Sequence, residues 1–325
     1  MRAKRYLAGA LAGVTLTVAG GCAARQMQAL EPKLELRNAA QQLAEAPQGG
    51  FTVRLTGSPD DLIAAAEVSA GDRALVRKVF DSSVTVAYDR AHGRSSLAAT
   101  VAGVGGTEIR YVDGVVYAKA PVTELAGALG ASRAEITDLQ ADLGLPGVEA
   151  FFDGEWVSFE AAQTAELAAS GLLGLPAGPQ DQQRAVAELT TSAANLLDGA
   201  EVVRDEADSR HLIVTSSTAK GHAEAKRFAT AVDETLGDDL GAAPPDRPVV
   251  LDLWLDGGRL SAAEINLLQF ADGAEGRVAV RIEVTAGEPI AAPDGAIAID
   301  TGGLLDGALL DDGLLGPDSI GVPGP

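Results

Sequence analysis

The chain has 325 residues, with 46 acidic and 25 basic side chains, a formal net charge of −21 and a pI near 4.4. Apolar residues make up 46%, which excludes a wholly disordered chain, but only 4% are aromatic, so a core must be mostly small and aliphatic. The acidic balance argues against a nucleic-acid partner, because phosphate contacts need clustered Lys and Arg. It also opposes recruitment to anionic lipid by charge alone.

The N-terminus predicts an export signal. Arg2, Lys4 and Arg5 precede an uncharged, mostly apolar run that ends at Gly21. This run is too short, and too rich in Gly and Ala, for a comfortable membrane span. A basic start, an apolar stretch and small residues at the end are typical of a signal peptide that is removed after export.

The small residues lead directly to Cys22, the only cysteine, so no intrachain disulfide is possible. The pattern resembles a bacterial lipobox, in which the cysteine thiolate receives a diacylglycerol and cleavage follows before it, although Ala19 stands where Leu or Val is commoner. The alternative is a cysteine that acts as a small buried hydrophobe. We expect acyl chains on Cys22, such as palmitate, to anchor the protein to the outer face of the cell membrane, because two or three chains together bind stably.

Apolar periodicity predicts helices and an antiparallel sheet in the first half. Helices are expected from Pro32 to about residue 46, at 60–69 and at 72–80, and strands near 51–55, 84–88, 97–101, 109–111, 115–117 and 151–159. Asp113-Gly114 lies between two alternating runs and predicts a hairpin, since type I′ turns need positive φ at both central positions. The first helix is expected to form an apolar stripe of Leu34, Ala39, Ala40 and Leu43.

The second half repeats the same alternation. Helices are expected at 161–172, 181–197 and 219–236, and strands at 201–208, 211–216, 249–255, 260–270 and 278–284. Nine or ten strands with hairpin-length connections favour the α+β class with one large antiparallel sheet over an α/β fold with parallel strands. We divide the chain into a signal peptide (1–21), a lipidated tether (22–31), a single domain (32–300) and a disordered tail (301–325), whose Leu doublets leave an interaction peptide open.

The sequence contains no pattern of catalytic or metal-ligating residues. No Gly-x-Ser-x-Gly nucleophile turn and no His-Glu-x-x-His pair is present. Asp205, Glu206, Asp208 and His211 could weakly hold a cation, but a solvated hairpin tip explains them as well. We therefore predict no enzyme, no cofactor and no metal site.

The aliphatic strands suggest a hollow for an acyl chain. A curved sheet with few aromatic side chains can leave apolar space, and about fifteen buried methylenes at ~0.8 kcal/mol each give roughly 12 kcal/mol before association costs. The alternative for each strand residue is ordinary core, and a register error of one residue would exchange the faces. The predicted lining residues are Val53, Leu55, Val84, Val86, Leu97, Val101, Tyr111, Tyr117, Leu251, Leu253 and Val280.

Taken together, three features of the sequence resemble actinobacterial cell-envelope lipoproteins. They are the signal with Cys22, the strands separated by turns that contain Gly and Asp, and the segments 111–119 and 153–157. The similarity is to the LppX/LprG type within the LolA/LolB-like group. It implies a half-barrel sheet with helices packed on its concave side, and a hydrophobic cavity that carries a lipid or lipoglycan. The competing interpretation is a surface-tethered scaffold domain with a filled core and no ligand, and neither assigns a protein partner.

Overall fold

The computed structural model describes residues 31–132, 134–138, 148–160, 188, 191–192, 194–232, 242–243, 245–271 and 273–299. Four predicted features lie outside these residues: the signal peptide, Cys22 with the tether up to residue 30, the helix at 161–172 and the tail at 301–325. Most of the helix predicted at 181–197 also lies outside them.

The described chain alternates strands with short helices. The strands are β1 (Gln48–Gly57), β2 (Ser83–Asp89), β3 (Arg94–Val101), β4 (Val104–Val112), β5 (Val115–Lys119), β6 (Val157–Glu160), β7 (Glu201–Arg204), β8 (His211–Ser217), β9 (Pro248–Asp256), β10 (Arg259–Asn266), β11 (Val278–Thr285) and β12 (Ile297–Ala298). The helices are α1 (31–45), α2 (Pro59–Ala65), α3 (Arg73–Phe80), α4 (Val122–Leu129), α5 (134–138), α6 (Val148–Phe152), α7 (194–198) and α8 (Thr218–Val232), with a 3₁₀ turn at Leu267–Phe270.

The predicted α+β class with antiparallel strands is confirmed. Within each unit described below, the strand pairs are antiparallel, with one parallel exception between β6 and β12. Asp113 and Gly114 both have positive φ, at 52° and 86°, as the predicted hairpin turn requires. The strand predicted at 151–159 is wrong in its first half, because α6 ends at the buried Phe152 and a Gly154 turn (φ 80°) delays β6 until Val157.

The chain forms two compact units, and the larger contains most of the sheet. It comprises residues from 47 to 160 and from 271 to 299, with strands in the order β12-β6-β5-β4-β3-β2-β1-β11. Between β1 and β2 the chain forms α2 and α3, which contact each other and pack against β11 and β1 respectively. Ser58 caps α2 through its side chain, and its backbone N–H donates to the Arg277 carbonyl at 2.9 Å.

The smaller unit has a filled core. It comprises residues 31–46 and the described residues from 188 to 270, with strands in the order β10-β9-β8-β7. Leu36 and Ala39 of α1 pack into one cluster with Leu212, Leu253 and other aliphatic side chains of these strands. The buried positions of α1 are 32, 36 and 39, whereas Leu34 is 55% exposed, so the predicted stripe is wrong at Leu34.

Within the part of the chain that the structure describes, no helix combines the length and the apolar character that crossing a bilayer requires.

Candidate functional site: an apolar sheet face

One face of the larger unit's sheet is formed almost entirely by apolar side chains. Residues that pair directly across antiparallel strands have side chains on the same face, and alternation assigns every second residue to that face. The pairs Phe51–Val86, Val86–Leu97 and Leu97–Ile109 follow this face from β1 to β4. The apolar members of this face include Phe51, Val53, Leu55, Val84, Val86, Leu97, Ala99, Ile109, Tyr111, Val116, Ala118, Val280, Ile282 and Val284.

Several large side chains of the apolar face are open to solvent. Phe51, Val84, Tyr111 and Ile282 each keep between 36% and 40% of their surface exposed. An antiparallel sheet normally packs its apolar face on a core and leaves its polar face to water. Contiguous exposed apolar surface is typical of a binding site, because leaving it in water is unfavourable.

The opposite face of the same strands is polar and internally paired. Thr52 and Thr85 share a hydrogen bond of 2.9 Å between their hydroxyls, and Arg54 donates to Glu283 at 2.8 Å. Hydrogen bonding to Arg281 lowers the pKa of Glu283, so this carboxylate stays ionised. The polar side chains of this face therefore pair with one another. Along a single strand, polar or charged residues of this face alternate with apolar residues of the other face.

The polar face continues with a charged cluster on β4 and β5. The Arg110 guanidinium and the Lys119 ammonium each lie 4.7 Å from the centre of the Trp156 ring. Glu108 accepts from Arg110 at 2.6 Å and lies 3.6 Å from Lys119. Arg110 also donates to the carbonyl of Ala291 at 2.9 Å, which holds the segment after β11 on this side.

The register brings seven of the eleven predicted lining residues together on the apolar face. These seven are Val53, Leu55, Val84, Val86, Leu97, Tyr111 and Val280. Tyr117 pairs with Arg110 and Ser158 and so belongs to the polar face. Val101 pairs with Val104 beyond a register shift, so the regular ladder does not assign it to either face.

Leu251 and Leu253 lie elsewhere, in the core of the smaller unit. Leu253 is buried in the cluster that Leu36 and Ala39 of α1 complete, and Leu251 packs against the same cluster. Both pair with β8 residues, Leu251 with Val214 and Leu253 with Leu212. Their surroundings are other side chains, which is the ordinary-core alternative for these two positions.

Sequence reasoning missed several members of the apolar face. Phe51, Ile109 and Ile282 alternate with polar neighbours as the predicted residues do, and they lie inside the predicted strands, so taking every second residue of those strands would have found them. Thr107 is a polar member, paired with Ala99, and its buried hydroxyl has no hydrogen-bond partner in the structure. Alternation of apolar and polar residues cannot identify such a position, because it assigns a polar residue to the polar face.

The structure resembles two solved mycobacterial lipoproteins, while no family model and no curated protein sequence matches the chain. One is the Mycobacterium tuberculosis lipoprotein LppX, with 15% identity and a TM-score of 0.34 over 81% of this chain and 98% of that chain. The other is LprF from Mycobacterium bovis, with 13% identity and a TM-score of 0.37 over 82% of this chain and 97% of that chain. Both are lipoproteins, and LppX is one of the type that the sequence resembles.

The acidic turn proposed as a weak cation site instead surrounds an imidazole. His211 Nδ1 lies 2.9 Å from Asp205, its Nε2 lies 2.9 Å from Asp252, and its ring stacks on Trp254 at 4.8 Å. Burial disfavours the charged imidazole, but the hydrogen bonds that it donates to Asp205 and Asp252 outweigh this effect and raise the pKa of His211. Among the described residues no group of His, Cys, Asp or Glu side chains is arranged to hold a metal ion.

A cleft of about 400 Å³ separates α2 from α3. Its walls include Asp60, Glu67, Arg73 and Arg77, and Arg77 donates to Asp60 at 2.8 Å. None of the eleven predicted lining residues borders this cleft. This cleft is therefore not the predicted apolar hollow, which stays a prediction.

Proposed function

We propose that the protein is a membrane-anchored carrier that binds the acyl chain of a lipid or lipoglycan on the apolar face of its larger unit. The observation that carries the proposal is the exposure of Phe51, Val84, Tyr111 and Ile282 on that one face. Covering these side chains with a hydrocarbon chain removes apolar surface from water, which is favourable by roughly 25 cal/mol per Å². The function is binding and transfer, with no catalytic step.

The dimensions of the apolar face suit one acyl chain. Six adjacent strands, from β5 through β4, β3, β2 and β1 to β11, contribute to it. At about 4.8 Å between neighbouring strands, the face is about 24 Å wide. One leaflet of a bilayer has a hydrocarbon depth of about 15 Å, which is half of the ~30 Å core. A single chain can therefore lie across the strands without leaving the apolar surface.

The proposal narrows the predicted lining set to the apolar face. Val53, Leu55, Val84, Val86, Leu97, Tyr111 and Val280 remain as proposed ligand contacts. Leu251 and Leu253 are assigned to the folding core of the smaller unit. Because the core of the smaller unit is filled, it supports the interpretation as a scaffold without a ligand for that unit only.

Mass spectrometry of the intact chain tests the proposal. The full chain, gently extracted from membranes, is measured under native and then denaturing conditions. We expect the native mass to exceed the denatured mass by that of one lipid, whereas acyl chains on Cys22 are covalent and contribute to both. Equal masses in the two measurements would favour the scaffold alternative.

Membrane anchoring through Cys22 is a separate proposal that rests on the sequence pattern. We expect Cys22→Ala to release the chain from the membrane fraction or to leave its signal peptide uncleaved. Fractionation followed by mass analysis of the N-terminus measures both. Membrane attachment together with normal cleavage in the variant would contradict lipidation at this residue.

A further inference from the structure

Thr107 of β4 brings a hydroxyl to the apolar face. It pairs with Ala99 of β3, which in turn pairs with Val84 of β2, so the three side chains lie on the same face. The hydroxyl oxygen of Thr107 is buried and has no hydrogen-bond partner among the residues that the structure describes. In the same part of the chain, the one other hydroxyl of this kind belongs to Ser216 of the smaller unit.

A buried hydroxyl without a partner is unfavourable for the folded protein. The group loses its hydrogen bonds to water and gains none in return, whereas a Val of nearly the same shape would avoid this cost. Val is also at least as well suited to a strand as Thr is. The fold alone therefore gives no reason for a hydroxyl at position 107, and a bound partner would give one.

Thr107 stands at one end of a row of cross-strand neighbours on the apolar face. The row runs from Thr107 through Ala99, Val84 and Val53 to Ile282, with one residue from each strand. Val84 and Ile282 are its exposed members, while Ala99 and Thr107 are partly buried. Five strands at about 4.8 Å spacing make the row about 19 Å long, which exceeds the ~15 Å hydrocarbon depth of one bilayer leaflet.

The start of β4 provides a route to solvent beside Thr107. The two residues before it, Gly105 and Gly106, carry no side chain and are both exposed. Even a Cβ at Gly106 would come no closer than 3.6 Å to its nearest neighbour, Pro121. A headgroup attached to a chain that ends at Thr107 can therefore leave the sheet past these glycines.

We propose that Thr107 donates a hydrogen bond to the carbonyl oxygen at the head of a bound acyl chain, so that the ligand is an ester-linked acyl lipid whose hydrocarbon follows the row towards Ile282. A hydroxyl can donate, and an ester carbonyl can only accept, so the two groups are complementary. Thr107 as a whole is only partly buried, which leaves it within reach of a ligand on this face. This inference rests on the proposed function and adds the chemical class of the ligand and the direction of its chain.

Two lysophospholipids that differ only at the linkage test the proposal. Palmitoyl lysophosphatidylcholine has an ester carbonyl, and hexadecyl lysophosphatidylcholine, its ether analogue, has none. Calorimetric titration of the full chain with each lipid, below its critical micelle concentration, measures the two affinities. We expect the ester to bind about threefold to tenfold more tightly than the ether, as one hydrogen bond would produce.

Substitutions at Thr107 separate the hydroxyl from the shape of the side chain. We expect Thr107→Val to remove the preference for the ester and leave the affinity for the ether unchanged, whereas Thr107→Ser keeps the preference. In urea denaturation, we expect Thr107→Val to raise the unfolding midpoint, because a methyl group needs no hydrogen-bond partner.

Thr85 of the neighbouring strand β2 is the matched control. Its hydroxyl shares a hydrogen bond of 2.9 Å with that of Thr52 on the polar face. We expect Thr85→Val to keep the preference for the ester and to lower the unfolding midpoint, since it leaves the Thr52 hydroxyl without this partner.

Three results would overturn the inference while the carrier function stands. They are equal affinities of the unmodified chain for ester and ether, a preference for the ester that persists in Thr107→Val, and a lower unfolding midpoint in Thr107→Val. Binding of neither lipid would contradict the carrier function itself, and the inference would fail with it.

Discussion

Val53 of β1 and Ile282 of β11 are direct cross-strand partners on the apolar face, while their neighbours Arg54 and Glu283 form an ion pair of 2.8 Å on the opposite face. One step along each strand thus replaces hydrocarbon with charge. The ion pair is largely exposed and contributes little to stability. Its position is more informative. The ion pair marks the polar face of the sheet, which water can solvate, and so identifies the opposite, apolar face as the one that we expect a ligand to cover.

A charge on the apolar face should abolish lipid binding without unfolding the protein. Val84 is 40% exposed, so we expect Val84→Asp to fold, but a carboxylate among Val53, Val86 and Ala99 would be desolvated by a bound acyl chain. We expect affinity for a fluorescent fatty acid to fall at least about tenfold, or ~1.4 kcal/mol, in a titration of the full chain.

Ser83 provides the matched control for Val84. It precedes Val84 on β2, pairs with Arg54 and Thr100, and points to the polar face. Ser83→Asp places the same carboxylate one residue away, and we expect it to bind the probe like the unmodified chain. Equal losses of affinity in the two variants would mean that the effect is on the fold rather than on a binding face.

The end of β1 requires a glycine, and its replacement should be far more costly than at a comparable turn. Gly57 has φ of 97°, and a Cβ there would lie 2.1 Å from the Arg277 carbonyl oxygen that Ser58 N–H uses. Gly93 also has positive φ, 63°, but a Cβ there would meet nothing within 4 Å. We expect Gly57→Ala to reduce the free energy of unfolding by about 2–5 kcal/mol and Gly93→Ala by about 1 kcal/mol. Urea denaturation measures both, and similar costs would contradict the close approach of β1 to Arg277.

His211 should make the stability of the smaller unit depend on pH. Protonated, it donates to both Asp205 and Asp252, whereas the neutral ring can donate to only one of them. Because the folded-state pKa is raised above the ordinary value of 6.5, this stabilisation is complete below pH 6.5 and is lost as the pH rises through the folded pKa. We expect His211→Gln to destabilise by about 1–3 kcal/mol at pH 5.5, and by less at pH 8.

His92 is the control for this pH dependence. It lies in the exposed β2–β3 turn, where its ring contacts Asp89 at 2.7 Å, whereas His211 contacts two carboxylates, Asp205 and Asp252. Unfolding midpoints for the unmodified chain, His92→Gln and His211→Gln, measured from pH 5.5 to pH 8, separate the two histidines. A pH dependence that survives in His211→Gln would mean that another group causes it.

Sequence periodicity predicted which residues share a face, but not which face is covered. Val53 and Leu253 have the same alternating surroundings in sequence, yet Leu253 is buried beneath α1 and Val53 belongs to the partly exposed apolar face. Coverage depends on where a distant helix packs, and period-two alternation carries no information about that. Among the predicted lining residues of the regular ladder, Tyr117 alone lies on the other face, because it pairs with Arg110, whereas Tyr111 pairs with Val116.

The same limit applies to the helices. The stripe expected on α1 included Leu34, but the buried residues are Pro32, Leu36 and Ala39, with Leu43 partly buried. The predicted and the observed residues both fit a helical period. Only the packing of α1 against Leu212 and Leu253 determines which of the two sets is buried. The strand predicted at 151–159 failed for a related reason, because Phe151 and Phe152 satisfy a strand pattern and a helical turn equally well.

Photocrosslinking most directly tests whether the apolar face holds an acyl chain. The full chain is incubated with a phospholipid that carries a photoreactive group in the middle of one acyl chain, irradiated, digested and analysed by mass spectrometry. We expect crosslinks at residues of the apolar face such as Phe51, Val84, Tyr111 and Ile282, and competition by unlabelled phospholipid. Crosslinks confined to the polar face at residues such as Thr85 and Arg281, or none that unlabelled phospholipid displaces, would contradict the proposed carrier function.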